Sequence, residues 1–191
     1  MKKKGLAMVL ALVLLAVCAV SGTLAWLTAK SDTVTNTFTT SDITVKLKET
    51  TGDEYQMIPG YTISKDPKAW VVAGSVDCYL FVKLEKSANF DTYLTYEMAD
   101  GWAQVPGVSN VYYRTVNSTQ MSSDNGDTNS YPVIKGNTVT VKGTVTKEMM
   151  SGLTAETYPT LKITAYASQL NSTNNTPFTV EQAWANVPTT P

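Results

Sequence analysis

The chain has 191 residues, 15 basic and 16 acidic side chains and no histidine. A balance so close to neutral, with no basic cluster beyond the first few residues, argues against nucleic acid or anionic lipid as a partner. The missing histidine removes the HExxH zinc motif, the Ser-His-Asp triad and the Cys-His pair together.

Lys2, Lys3 and Lys4 form a positive n-region, residues 6–20 are an unbroken apolar run, and the small, polar Ser21-Gly22-Thr23 follows. This is the pattern of a helical secretory signal peptide. Thr23 and Ala25 stand as the small residues at −3 and −1, which puts the cut between Ala25 and Trp26. Two readings compete with cleavage there. Counting on through Leu24, Ala25, Trp26 and Leu27 gives a stretch long enough to remain as a membrane anchor. A lipoprotein would use Cys18, but Leu15-Ala16-Val17 puts a branched residue where a small one is expected.

Removal of residues 1–25 leaves a domain over 26–191, long enough for its own core. It carries 12 basic and 16 acidic side chains, a net charge of −4. Cys78 is then the only thiol, so no intramolecular disulfide forms and packing supplies the stability. It runs in phase with Val76, Leu80, Val82 and Leu84, which predicts a buried core thiol rather than a bridge between chains.

Along the domain, residues 42–49 alternate strictly, with Ile43, Val45 and Leu47 on one face and Thr44, Lys46 and Lys48 on the other. Residues 76–85 repeat the pattern with aromatics on the second face, which predicts a central strand covered on both sides. Strands are also predicted where Val139, Val141 and Val145 alternate with polar residues, and where Leu161, Ile163, Ala165 and Ala167 do so. Weaker runs at 33–39, 61–64, 70–72, 93–98, 111–116 and 131–135 are each bounded by turn residues. Residues 118–130 read as an exposed, mobile loop. A helical turn is expected over 147–153, and a short C-terminal helix from the N-cap Thr179, with Gln182 completing a capping box, to about Val187 before Pro188. The fold class is therefore all-β: an antiparallel, jelly-roll-like β-sandwich with a short C-terminal helix.

Candidate chemistry is sparse. No glycine loop has phosphate-binding spacing. Paired carboxylates can work without histidine, as in glycosidases, but the acids here fall at turns or on polar strand faces, where solvated surface is expected. Asp124 and Asp127, in Asp124-Asn125-Gly126-Asp127, have the oxygen-rich look of a calcium loop, yet lack the EF-hand spacing and a distal glutamate. No metal and no cofactor is expected. Asn117, Asn171 and Asn174 head glycosylation sequons to which no role is assigned. Trp70, Trp102, Trp184 and the tyrosines offer either a carbohydrate-stacking face or core packing.

Residues 22–47, GTLAWLTAKSDTVTNTFTTSDITVKL, resemble the N-terminus of the TasA/camelysin group of Gram-positive secreted proteins. The resemblance continues in Pro59-Gly60, then Lys65-Asp66-Pro67, then Gly74-Ser75 before a long apolar strand. More loosely, it includes residues 163–169 followed by the helix with Ala183-Trp184. Residues 88–135 carry none of it. It implies a jelly-roll protein of the cell surface or biofilm matrix, exported through the dedicated signal peptidase SipW, which supports the cut after Ala25. It also implies fibres built by donation of an N-terminal strand, within 26–39, to the next subunit. Val34, Thr35, Asn36, Thr37 and Phe38 are the β-forming candidates, although 29–32 is a polar interruption. The same strand pairing within its own sheet is the alternative. The protease activity suggested by the camelysin name is not carried over, because without histidine a zinc site would need carboxylates and one thiol. The expected partners are further copies or related matrix subunits, with signal peptidase during export and membrane contact only through an uncleaved signal. A second reading is an extracellular adhesin or carbohydrate-binding module that forms no fibres.

Overall fold

The structure is a computed structural model that describes residues 42–52, 55–172 and 174–187. The expected signal peptide with Cys18, the cut at Thr23, Ala25 and Trp26, the candidate donor strand at Val34 to Phe38 and Pro188 all lie outside those residues.

Among the described residues, ten strands form three sheets, antiparallel throughout. The first pairs β1 (Val45–Lys48), β3 (Lys68–Val71) and β8 (Tyr131–Pro132) in the order β1-β3-β8. The largest joins β4 (Cys78–Lys86), β6 (Ala103–Gln104), β7 (Val111–Val116) and β10 (Leu161–Gln169) in the order β10-β4-β7-β6. The third sets β9 (Thr138–Val141) between β2 (Thr62–Ser64) and β5 (Leu94–Thr95). The described residues also hold three short α-helices, α1 (Phe90–Tyr93), α2 (Lys147–Ser151) and α3 (Val180–Ala185). The all-β class expected from the sequence is the one observed.

The alternation of β4 explains the core. Cys78, Leu80, Val82 and Leu84 point to one face and are fully buried with Ala69 and Val71 of β3, Val116 of β7, Met121 and Val133. Phe81 points to the other face, where Val105, Val111, Ala183 and Val187 enclose it. A third cluster gathers Phe90, Tyr93, Leu94, Ile134, Val139, Val141 and Val145 around β9. Cys78 is the core thiol that its phase predicts, and burial pushes its pKa up to about 12.

The short elements follow local chemistry. Thr179 accepts from the Gln182 N–H at 3.3 Å while the Gln182 side chain accepts from the Thr179 N–H at 3.0 Å. This is the expected capping box, although the helix ends at Ala185, two residues early. Tyr79 donates its hydroxyl to the Phe178 carbonyl at 3.0 Å and holds the approach to α3 against the sheet. Thr146 caps α2 by accepting from Met149.

Several expected boundaries change. In 93–98, Tyr93 closes α1 and only Leu94 and Thr95 join a ladder, with Met98 in an isolated bridge to Ile134. The 131–135 run stops at Pro132, and Lys135 opens a 3-10 turn. Val145 lies beyond the end of β9 but stays buried in the β9 cluster.

Residues 118–130 are mostly exposed, but the segment is pinned. Ser122 donates to the Val71 carbonyl at 2.9 Å and accepts from Ala73 at 2.8 Å, so it acts as a fragment of strand beside β3. The Asn129 amide donates to the Met121 carbonyl at 3.0 Å, and the Ser122 hydroxyl accepts from the Thr128 N–H at 3.1 Å. Met121 and Ser122 are consequently buried.

Candidate functional site: the outer edge of β10 and the root of β1

The nine residues of β10 pair with the nine of β4 from Leu161 opposite Lys86 to Gln169 opposite Cys78. The Leu170 N–H donates to the Asp77 carbonyl at 2.9 Å and carries the same register one pair further. In an antiparallel ladder the N–H and C=O of one residue point to the same side and alternate along the strand. The even-numbered residues of β10 therefore bond to β4, while the backbone groups of Ile163, Ala165 and Ala167 face outward. β4 obeys the same rule: the Leu84 N–H donates to Asn110 on the β7 side at 2.9 Å.

Among the described residues no strand pairs with that outer edge. The side chains of Leu161, Ile163, Ala165 and Ala167 point inward and pack on the β4 cluster, yet all four remain only partly buried, whereas Leu84, Val82 and Leu80, opposite the last three, are fully enclosed. An open edge of this length with an apolar inner row is a template for another strand.

β1 runs close to β10, and Lys65, Asp66 and Ser75 bond to residues at its two ends. Lys65 grips the Glu49 carboxylate with both oxygens at 2.8–2.9 Å, and the Tyr55 hydroxyl donates to the same carboxylate at 2.9 Å. Asp66 accepts from the Thr50 N–H at 2.9 Å, the Thr50 hydroxyl at 2.6 Å and the Thr51 N–H at 3.1 Å. These donors hold the Asp66 carboxyl at about 2, below its ordinary 3.8. At the other end of β1, the Ser75 hydroxyl accepts from the Thr44 N–H at 3.1 Å and donates to the Val72 carbonyl at 2.7 Å. Gly74 precedes it in a turn with φ of 94°. Pro67 is buried and its carbonyl accepts from Val133 at 2.9 Å. Pro59-Gly60 makes a separate turn, closed by the Tyr61 N–H to the Ile58 carbonyl at 3.0 Å.

Lys65, Asp66 and Ser75 thus act together to fix both ends of the strand into which residues 26–39 lead. Sequence reasoning singled out these three but missed their partners Thr44, Glu49, Thr50 and Thr51. The available signal was the position of those four residues at the two ends of the 42–49 alternation.

The other candidates are not brought together. Asp124 pairs with Lys46 of β1 at 2.9 Å, and Asp127 accepts from the Ser123 hydroxyl at 2.9 Å. Among the described residues no three Cys, His, Asp or Glu side chains group to hold a metal ion. The tryptophans do not share a flat platform. Trp70 is buried and donates to the Ser123 carbonyl at 3.1 Å. Trp184 packs on Phe81 and Tyr166, with centroids 5.2 and 5.5 Å away. Trp102 donates to the Pro132 carbonyl at 2.8 Å.

The fold makes this an all-β protein of antiparallel sheets with an open long edge among the described residues. The chain matches no protein-family model, no curated protein and no solved structure.

Proposed function

We infer that the chain is an exported, non-enzymatic structural protein of the cell surface or biofilm matrix, of the TasA/camelysin type, and that it self-assembles by strand donation. On this reading the three sheets form a jelly-roll-like sandwich. The sharing of the β4 cluster by β3 and β7 and the packing of Leu161 and Ile163 against both inner clusters support that arrangement. The observation that carries the function is the outward-facing backbone of Ile163, Ala165 and Ala167. A donated strand over Val34 to Phe38 from a neighbouring copy supplies hydrogen bonds to that edge, and its side chains at alternate positions cover the half-buried inner row. The clamp around β1 holds the root of the donor while the donor itself reaches the next subunit.

Negative-stain electron microscopy of the secreted protein, with N-terminal sequencing of the same sample, tests this. Filaments from a chain beginning at Trp26, lost when 33–39 is deleted, are expected. A protein that stays monomeric under all conditions, together with normal matrix fibres in a deletion strain, would overturn the reading.

A further inference from the structure

Arg114 is the only arginine of the chain and lies on the inward face of β7, where Leu80 is its register partner. Its guanidinium carbon sits 3.6 Å from the centroid of Tyr131 and 5.4 Å from that of Trp102. Both rings are themselves tied down, Trp102 through its indole N–H to Pro132 and Tyr131 through its hydroxyl to the Gln120 carbonyl at 2.7 Å. Gly101 passes so close that a Cβ there would stand 3.1 Å from Nη2, and its φ of 85° also calls for glycine.

The guanidinium is therefore stacked, partly desolvated and fixed in plane. Among the described residues it has no carboxylate within ion-pair distance and donates no hydrogen bond, so none of its five N–H groups is committed to a described residue. A planar fork held in this way matches a carboxylate through two parallel hydrogen bonds. The surroundings discriminate between sources of that carboxylate. The strongly exposed large apolar residues among those described, Ile58, Tyr61 and Tyr158, are not among the aromatic contacts of Arg114, so the cluster offers stacked rings and a cationic fork without a broad exposed apolar patch of described residues. A partly exposed indole beside a carboxylate-binding fork instead suits a sugar ring bearing an acid.

We propose that Trp102, Arg114 and Tyr131 form a binding site for uronic-acid units of an acidic polysaccharide. The carboxylate meets the guanidinium edge and the sugar ring rests against Trp102. The site deepens the matrix reading by naming a matrix ligand and rests on that reading, but it uses the side of the largest sheet away from β10.

A single arginine gives a single Nε–Hε resonance, so the full chain labelled with 15N reports on the site directly. Titration with a galacturonate trisaccharide is expected to shift that resonance, whereas a neutral trisaccharide leaves it in place. Binding should weaken as salt is added. R114Q should lower affinity at least about tenfold and R114K several-fold, because lysine keeps the charge and loses the fork. No shift with galacturonate, or an equal shift with the neutral sugar or with a glutamate pentapeptide, would overturn the proposal. The wild-type resonance decides even where a variant folds poorly. Filaments without a shift would refute this site and leave strand donation standing; a shift without filaments would do the reverse.

Discussion

β4 and β10 are both nine residues long, both alternate apolar and polar positions, and pair with each other along their whole length, yet in the sheet of described residues one is central and the other lies at the edge. β4 has hydrogen-bonded neighbours on both sides and clusters on both faces. β10 has, among the described residues, one neighbour and a half-covered inner row. Equal patterning therefore carries unequal energetic weight. What separates the two strands is the number of ladders they join.

Proline substitutions test this most sharply. Val82 bonds to β7 and is fully enclosed, so V82P removes a ladder bond and should cost about 3 kcal/mol or more, enough to abolish cooperative unfolding seen by circular dichroism. Ala165 turns its N–H outward, so A165P should cost only about 1–2 kcal/mol while removing filaments in electron micrographs. Equal destabilisation by the two would show that β10 is not an open edge.

Side-chain truncation gives the next largest effect. L80A should lose about 2–5 kcal/mol in denaturant titrations, as expected for a closed core site. I163A should lose clearly less in the monomer, because its side chain is only partly buried there, and should lose more once filaments form.

Acid sensitivity probes the clamp on β1. The folded pKa of Asp66 is depressed, so its contribution is present above the ordinary carboxylate value of 3.8 and is lost as pH falls toward about 2. D66N should lower stability at neutral pH and flatten the loss between pH 4 and 2 in thermal melts. The smallest effect is expected from T179A, which removes one side of the capping box and should cost about 1 kcal/mol, read as earlier fraying of α3 and faster exchange of its first amides.

Much of the framework was legible in the sequence because alternation is a local signal. The burial of Cys78, the central place of β4, the bounds of β7 and the capping box at Thr179 all follow from spacing and residue type. The 93–98 and 131–135 runs hold shorter strands than expected, at Leu94–Thr95 and Tyr131–Pro132, because Tyr93 closes α1 and a 3-10 turn starts at Lys135; Tyr93 and Ile134 meet in one cluster. The pinned state of 118–130 was not legible either, since the bonds from Ser122 reach back about fifty residues to β3.

By itself the sequence determined the all-β class, the strand faces and the motif residues worth watching, because side-chain alternation and turn chemistry act over a few neighbouring residues. Only the tertiary structure decided that Lys65, Asp66 and Ser75 clamp one strand, that Arg114 lies stacked beside Trp102 and Tyr131 without a described partner, and that β10 rather than β4 is the edge among the described strands. Those facts depend on which distant segments meet, and a ladder has an edge only once the order of its strands is known.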